Sequence, residues 1–207
     1  MTKLAFLSLA IALPLCAGTI NFDNISTAGG AVALTNQYAS SGVLFSDITD
    51  AQNFKFNIFP PSTPNYASPF WTDFNQGTIS FVDPLNPLNN AYVTSASFTL
   101  VGLTSTVPNP GNFSGATVDA IDLSGNVIAG QTVVIPATSV TGPNQTLSFT
   151  GNIHALRFTH TASTTGALPI DDLTFGTVNA VPEPSTFRLL AAGLLLVTVA
   201  ASRGRIL

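Results

Sequence analysis

Ser95-Ala96-Ser97-Phe98-Thr99-Leu100 changes character at every residue. Small polar side chains stand at 95, 97 and 99, and apolar ones at 96, 98 and 100. A period of two marks an extended strand with one buried face, because successive side chains of a strand point to opposite sides. A helix would repeat its apolar positions every three or four residues, and no stretch between Thr19 and Ala180 does so.

The same alternation recurs on both sides of this segment. Ile20 and Phe22 alternate with Asn21 and Asp23, and Val43 and Phe45 with Leu44 and Ser46. Phe54, Phe56 and Ile58 alternate with Asn53, Lys55 and Asn57. Ile79–Phe81, Val133–Ile135, Leu147–Phe149, Leu156–Phe158 and Leu173–Phe175 are shorter runs of the same kind. Thr117 to Leu123 runs into Ser124-Gly125-Asn126 and returns with Val127-Ile128, a hairpin signal. Gly, Pro, Asn and Asp punctuate the runs. About ten short strands with frequent turns predict an all-β fold, an antiparallel jelly-roll β-sandwich.

Charge is sparse. Between Thr19 and Ala180 the cations are Lys55 and Arg157, facing nine Asp. A chain with no basic footprint is not built for nucleic acid. Low charge with abundant Thr, Ser, Asn and Gly, together with Val, Ile and Phe, fits an exported β-protein. The single Cys, Cys16, lies in an N-terminal leader, leaving the body without a disulfide, a thiol nucleophile or a Cys metal site. In that leader Lys3 supplies a positive start, Leu4–Cys16 an apolar run and Cys16-Ala17-Gly18 small residues for cleavage. Residues 1–18 are therefore expected to be a signal peptide with a signal helix, and residues 19–176 the β-sandwich domain. Residues 177–180 read as a linker.

The chain closes on Val181-Pro182-Glu183-Pro184-Ser185, an apolar run from Phe187 to Ser202, and Arg203-Gly204-Arg205. The two prolines fix φ and lack an N–H, so a helix cannot start before them. Ser185 can cap the helix that follows. No charge interrupts Leu189 to Ala201, and Arg188 can snorkel toward an interface. Closing arginines are what a positive-inside transmembrane helix leaves in the cytoplasm. The segment 181–207 resembles the PEP-CTERM sorting signal, with Val181, Pro182, Glu183 and Pro184 as its motif and Arg203 and Arg205 as the topology anchor. The resemblance implies recognition by an exosortase, a membrane cysteine transpeptidase-like enzyme. It also implies a transient stay in the inner membrane on a helix at 187–202. Release or attachment at the cell surface or in an extracellular matrix rich in exopolysaccharide would follow.

Phe22-Asp23-Asn24, Gly42-Val43-Leu44-Phe45, Ile79-Ser80-Phe81 and the closing Ile170-Asp171-Asp172-Leu173-Thr174-Phe175 resemble the galactose-binding-like jelly-roll of carbohydrate-binding modules. That resemblance implies first and last strands side by side, with a carboxylate from each holding a structural Ca²⁺. Asp23, with Asn24, and Asp171 or Asp172 would supply the hard oxygen ligands. Because neighbouring strand residues face opposite ways, only one of Asp171 and Asp172 can join a given site. His154 and His160 are six residues apart, about 20 Å along a straight strand, too far to share an ion.

Tyr66, Phe70, Trp71 and Phe74 crowd a Pro-rich loop, Pro60 to Gln76. Exposed there, Trp71 and Tyr66 could stack on a sugar, with Asp73 accepting its hydroxyls. Turned inward, the same rings would plug one end of the sandwich. Glycoside hydrolysis needs two positioned carboxylates, yet the one Glu is Glu183, and no G-x-S-x-G or H-E-x-x-H occurs. The expected function is a non-catalytic structural or adhesive role on an exported protein. A calcium-dependent carbohydrate-binding module is the first alternative and a glycan-directed hydrolase the second.

Overall fold

The computed structural model describes residues 17–28, 30–52, 62, 65–69, 76–101, 116–133, 144–160, 168–181 and 193. These residues form an all-β structure whose strands pair antiparallel throughout. The leader through Cys16, the strand expected at Phe54–Ile58, and the residues after Val181 other than Gly193 lie outside the described residues. Among the described residues no helix is long and apolar enough to cross a membrane.

One layer contains β1 (Gly18–Ile20), β2 (Val32–Leu34), β4 (Ile48–Gln52), β5 (Asn65–Pro69), β7 (Asn86–Leu100), β10 (Gln145–Ile153) and β12 (Ile170–Phe175). Its order is β2-β4-β5-β12-β7-β10, with β1 on β12 beyond the end of β5. The other layer runs β3 (Val43–Ser46), β6 (Gln76–Asp83), β11 (Ala155–His160), β8 (Ala116–Ile121), β9 (Val127–Val133). The β6–β7 hairpin joins the two layers, and β13 (Asn179–Ala180) lies against the first half of β7.

The alternation that opens the sequence sets the core. Ala96, Phe98 and Leu100 point inward, Leu147 and Phe149 beside them on β10, and Val118, Leu156 and Phe158 come from the facing layer. Rings bridge the layers: Phe98 and Phe158 have centroids 5.3 Å apart, and Phe81 and Phe175 5.5 Å. Each is a large hydrophobe fully removed from water, the main stabilising term of such a fold.

Phe22 reaches the core by another route. The strand ends at Ile20, and Phe22 adopts φ 61°, a left-handed conformation that is uncommon for an aromatic residue. That kink turns the ring inward, edge-on to Tyr38 and Phe45 at 6.0 and 5.9 Å.

Three expectations need correction. The described residues alone hold thirteen strands, not about ten. β5 occupies part of the stretch read as a Pro-rich loop, with all five residues buried. Residues 177–180, read as a linker, belong to the domain: Val178 is 2 % exposed within the core, and β13 pairs with Tyr92 and Ala91. One apolar residue between Thr177 and Asn179 gave no period to detect, yet it fills the space beside Gly42, where even a Cβ would sit 3.0 Å from it.

Candidate functional site

The outer face of the first layer carries the polar half of the opening alternation. Ser95, Ser97 and Thr99 on β7 are in register with Thr150, Ser148 and Thr146 on β10. On the other side of β7, Ser97 is in register with Thr174 of β12, and Thr174 with Thr19 of β1. Thr19, Thr174, Ser97 and Ser148 therefore make one row across four strands. The Thr19 and Thr174 hydroxyls lie 3.1 Å apart. Neighbouring strands stand roughly 4.8 Å apart and alternate residues roughly 6.7 Å apart along a strand, so the eight side chains form one continuous array that follows the twist of the sheet. Each hydroxyl offers one donor and two acceptor positions.

A shallow groove of about 310 Å³ lies over part of this array, lined by Ser95, Ser97, Ser148, Thr150 and Thr174 together with apolar residues such as Ala17 and Phe149; Thr19, Thr99 and Thr146 lie outside it. Its hydroxyls are exposed or half-buried. No charged side chain lines it.

At the far edge of the array, in register with Thr99, stands Asp171. Its side chain is fully buried, because Ser62 closes over it. The Ser62 N–H and hydroxyl each donate to Oδ2 at 2.9 Å, and the Asp172 N–H donates to Oδ1 at 2.8 Å. Burial pushes the Asp171 carboxyl up to about 6 against the pull of those donors, and the neighbouring Asp172 charge adds to the rise. Asp172 takes φ 48°, within the bulge that separates Asp171 from Thr174 along β7.

The calcium expectation fails its test of fit. β1 does lie beside β12, the strand Ile170–Phe175 expected to close the fold, although β13 follows it and pairs with β7. Four of the candidate oxygens, however, already accept from donors of the protein itself. Asp23 Oδ1 accepts the Asn65 N–H at 2.9 Å, Asn24 Oδ1 accepts the Tyr38 hydroxyl, and Asp171 is enclosed by Ser62. Among the described residues no three His, Cys, Asp or Glu side chains gather where they could hold a metal ion. With Asp23 Oδ1, Asn24 Oδ1 and both Asp171 oxygens already accepting, the expected grouping of Asp23 and Asn24 with Asp171 does not fit a Ca²⁺ ion, whose ligands must all turn to one point.

The aromatic expectation divides. Tyr66 is fully buried on β5, so its ring is not presented to a sugar; a phenol ring amid packed strands is worth more as core than as surface. Trp71 and Asp73 lie outside the described residues, as do Pro182, Glu183, Pro184, Arg203 and Arg205. Val181 is described, its N–H donating to the Asn90 carbonyl at 3.0 Å.

Other polar groups are tied into the fold. Asp119 pairs with Arg157 at 2.9 Å across β8 and β11. Asp122 closes the β8–β9 hairpin by accepting the Ser124 and Asn126 N–H groups, which hold its carboxyl below its ordinary value. His154 Nδ1 lies 2.8 Å from the Ala91 carbonyl, a structural contact near a strand end. The hydroxyl array left no motif in the sequence. Its signal is the strand register, which joins residues from Thr19 to Thr174.

No protein-family model and no curated protein matches the chain. Among solved structures it is similar to the K2 cleaved adhesin domain of Lys-gingipain, at 10 % identity over 77 % of this chain and 98 % of that one, with a TM-score of 0.46. It is also similar to a family 35 carbohydrate-binding module from Clostridium thermocellum, at 14 % identity over 70 % and 97 %, TM-score 0.35. A fucose-binding module from Streptococcus pneumoniae matches at 9 % identity over 62 % and 69 %, TM-score 0.31.

Proposed function

We propose that this chain is an exported, non-catalytic adhesive domain whose hydroxyl-lined sheet face contacts a neutral polysaccharide. Its C-terminal segment acts as a PEP-CTERM-type address read by an exosortase. The observation that carries the adhesive reading is the uncharged array of Thr19, Thr174, Ser95, Ser97, Thr99, Thr146, Ser148 and Thr150 on one face. An uncharged polyhydroxylated chain laid on this face exchanges hydrogen bonds in both directions without burying a charge. Each bond adds only about 0.5–1.5 kcal/mol net, so adhesion depends on many contacts along an extended chain. The sorting reading is supported by Val181-Pro182-Glu183-Pro184, the uncharged run that follows and the closing arginines.

Four of the described carboxylates are committed to the fold, which favours adhesion over hydrolysis. Asp23, Asp119, Asp122 and Asp171 each accept hydrogen bonds that hold the fold.

Thr→Val substitution removes a hydroxyl while keeping shape and strand preference. The triple variant Thr146→Val, Thr150→Val, Thr174→Val is expected to lose about tenfold or more of its retention in gels containing neutral polysaccharide, from three lost hydrogen bonds. Thr132→Val, exposed on the opposite layer, is the matched control. Retention unchanged in the triple variant would remove the proposed face. For the sorting reading, chains with and without residues 182–207 should differ in cell fraction and mature mass. Identical behaviour rejects that reading and leaves the face untouched.

A further inference from the structure

Among the described residues, the exposed large apolar side chains are Leu85, Leu88, Leu123, Val127 and Ile128, with Leu85 at 85 % and Leu88 at 93 % exposure. They are far apart in sequence but share one end of the sandwich. Leu85 and Leu88 stand at the tip of the β6–β7 hairpin, where Asp83 is in register with Asn86. Leu123, Val127 and Ile128 belong to the β8–β9 hairpin. The pairing brings that hairpin to the same end. Ile121 is in register with Ala155 and Ala155 with Ser80, and the His154 backbone bonds to both Ile121 and Phe81.

At Val181, the last residue described on β13's course, the chain is heading toward this end. β13 is antiparallel to β7, with Asn179 against Tyr92 and Ala180 against Ala91, and Val181 bonds to Asn90. That register fixes the direction of the described strand: from Asn179 to Val181 it runs toward the β6–β7 tip. β1 is likewise antiparallel to β12, so Gly18, against Phe175, directs Ala17 toward the same end. Seven residues lie between Val181 and Leu189, so the eight steps reach at most about 29 Å. At Leu189 begins the uncharged apolar run.

We infer that the two hairpin tips form a docking surface for a lipid bilayer, seating the domain end-on while the C-terminal segment holds it there. This rests on the reading of that segment as a membrane anchor. Fully exposed leucines at a hairpin tip cost solubility and do nothing for the core; at a bilayer interface they partition into the acyl boundary. The acids at this end are Asp83 and Asp122, with no cation among the described residues there, so the fitting surface is zwitterionic rather than anionic. The hydroxyl face, on the flank of the sandwich, stays open when the end is seated.

The test uses the full chain with Cys16→Ser, reconstituted in phosphatidylcholine vesicles, and single cysteines carrying an environment-sensitive fluorophore. Leu88→Cys and Leu123→Cys report on the tips. Gln145→Cys, in register with Leu100, reports on the other end, about 40 Å away along β7. With lipids brominated near the headgroup, probes at 88 and 123 are expected to be quenched and the probe at 145 to keep its emission. Protein that resists a carbonate wash but shows equal emission at 88 and 145 overturns the docking surface alone. Protein released by the wash overturns the anchor and the docking surface together.

Discussion

Acidification from pH 7 to pH 4.5 is expected to stabilise this domain, by about 2 kcal/mol through Asp171 alone. The carboxyl titrates near 6 when folded, above the ordinary 3.8, because burial opposes its charge. A raised folded value means that the folded state holds the proton more tightly than the unfolded chain between those two limits. The contribution is complete below pH 3.8 and is lost as pH rises through 6. Asp122 acts in the opposite sense, but its lowered value places its window below 3.8, outside this range. Denaturant midpoints of the wild-type chain should fall between pH 4.5 and pH 7, and Asp171→Asn should flatten that slope. A slope that is equal in both proteins removes Asp171 as its source. Asp171→Ala is expected to be worse than Asp171→Asn at every pH. It leaves the half-buried Ser62 and Asp172 N–H groups without their acceptor, at about 1 kcal/mol each, the low end of the cost of an unsatisfied group.

Phe158→Ala is expected to destabilise the domain by about 3–5 kcal/mol, the largest loss foreseen from a single residue. Phe158 is fully buried on β11, which is paired on both sides by β6 and β8, and its ring meets Phe98 across the layers. Neither neighbouring strand can close the gap without breaking its own register. A domain of this size has about 5–15 kcal/mol in hand, so the variant should lose much of its margin. Phe158→Leu keeps most of the volume and should cost about 1–2 kcal/mol. Equilibrium denaturation of the two variants checks the ordering. A loss under about 1 kcal/mol for Phe158→Ala would mean that the two layers do not meet at this ring.

The fold was legible where one face of a strand is wet. Ala96, Phe98 and Leu100 declare their burial because Ser95, Ser97 and Thr99 declare the opposite. β5 was not legible, since all five residues of Asn65-Tyr66-Ala67-Ser68-Pro69 are buried and no alternation survives. Asn65 is inside because its amide donates to the Phe22 and Ile25 carbonyls, a demand set by a distant loop. The candidate face was half legible. Its first three hydroxyls stand in the segment that decides the fold, but Thr146, Ser148, Thr150, Thr174 and Thr19 join them only through register. The carboxylate expectation located the right neighbourhood, β1 beside β12, and misjudged the oxygens. Sequence shows that Asp23 and Asp171 can accept; it does not show that Asn65 and Ser62 are already donating to them.

The register of β13 on β7 also has a mechanical meaning. A pull on Val181 along the strand axis loads the hydrogen bonds to Tyr92, Ala91 and Asn90 in shear together rather than peeling them one after another. Behind them the same tension passes into β12, clamped between β1 and β7. Drag on material stuck to the flank would therefore be borne by the sheet's stiffest direction.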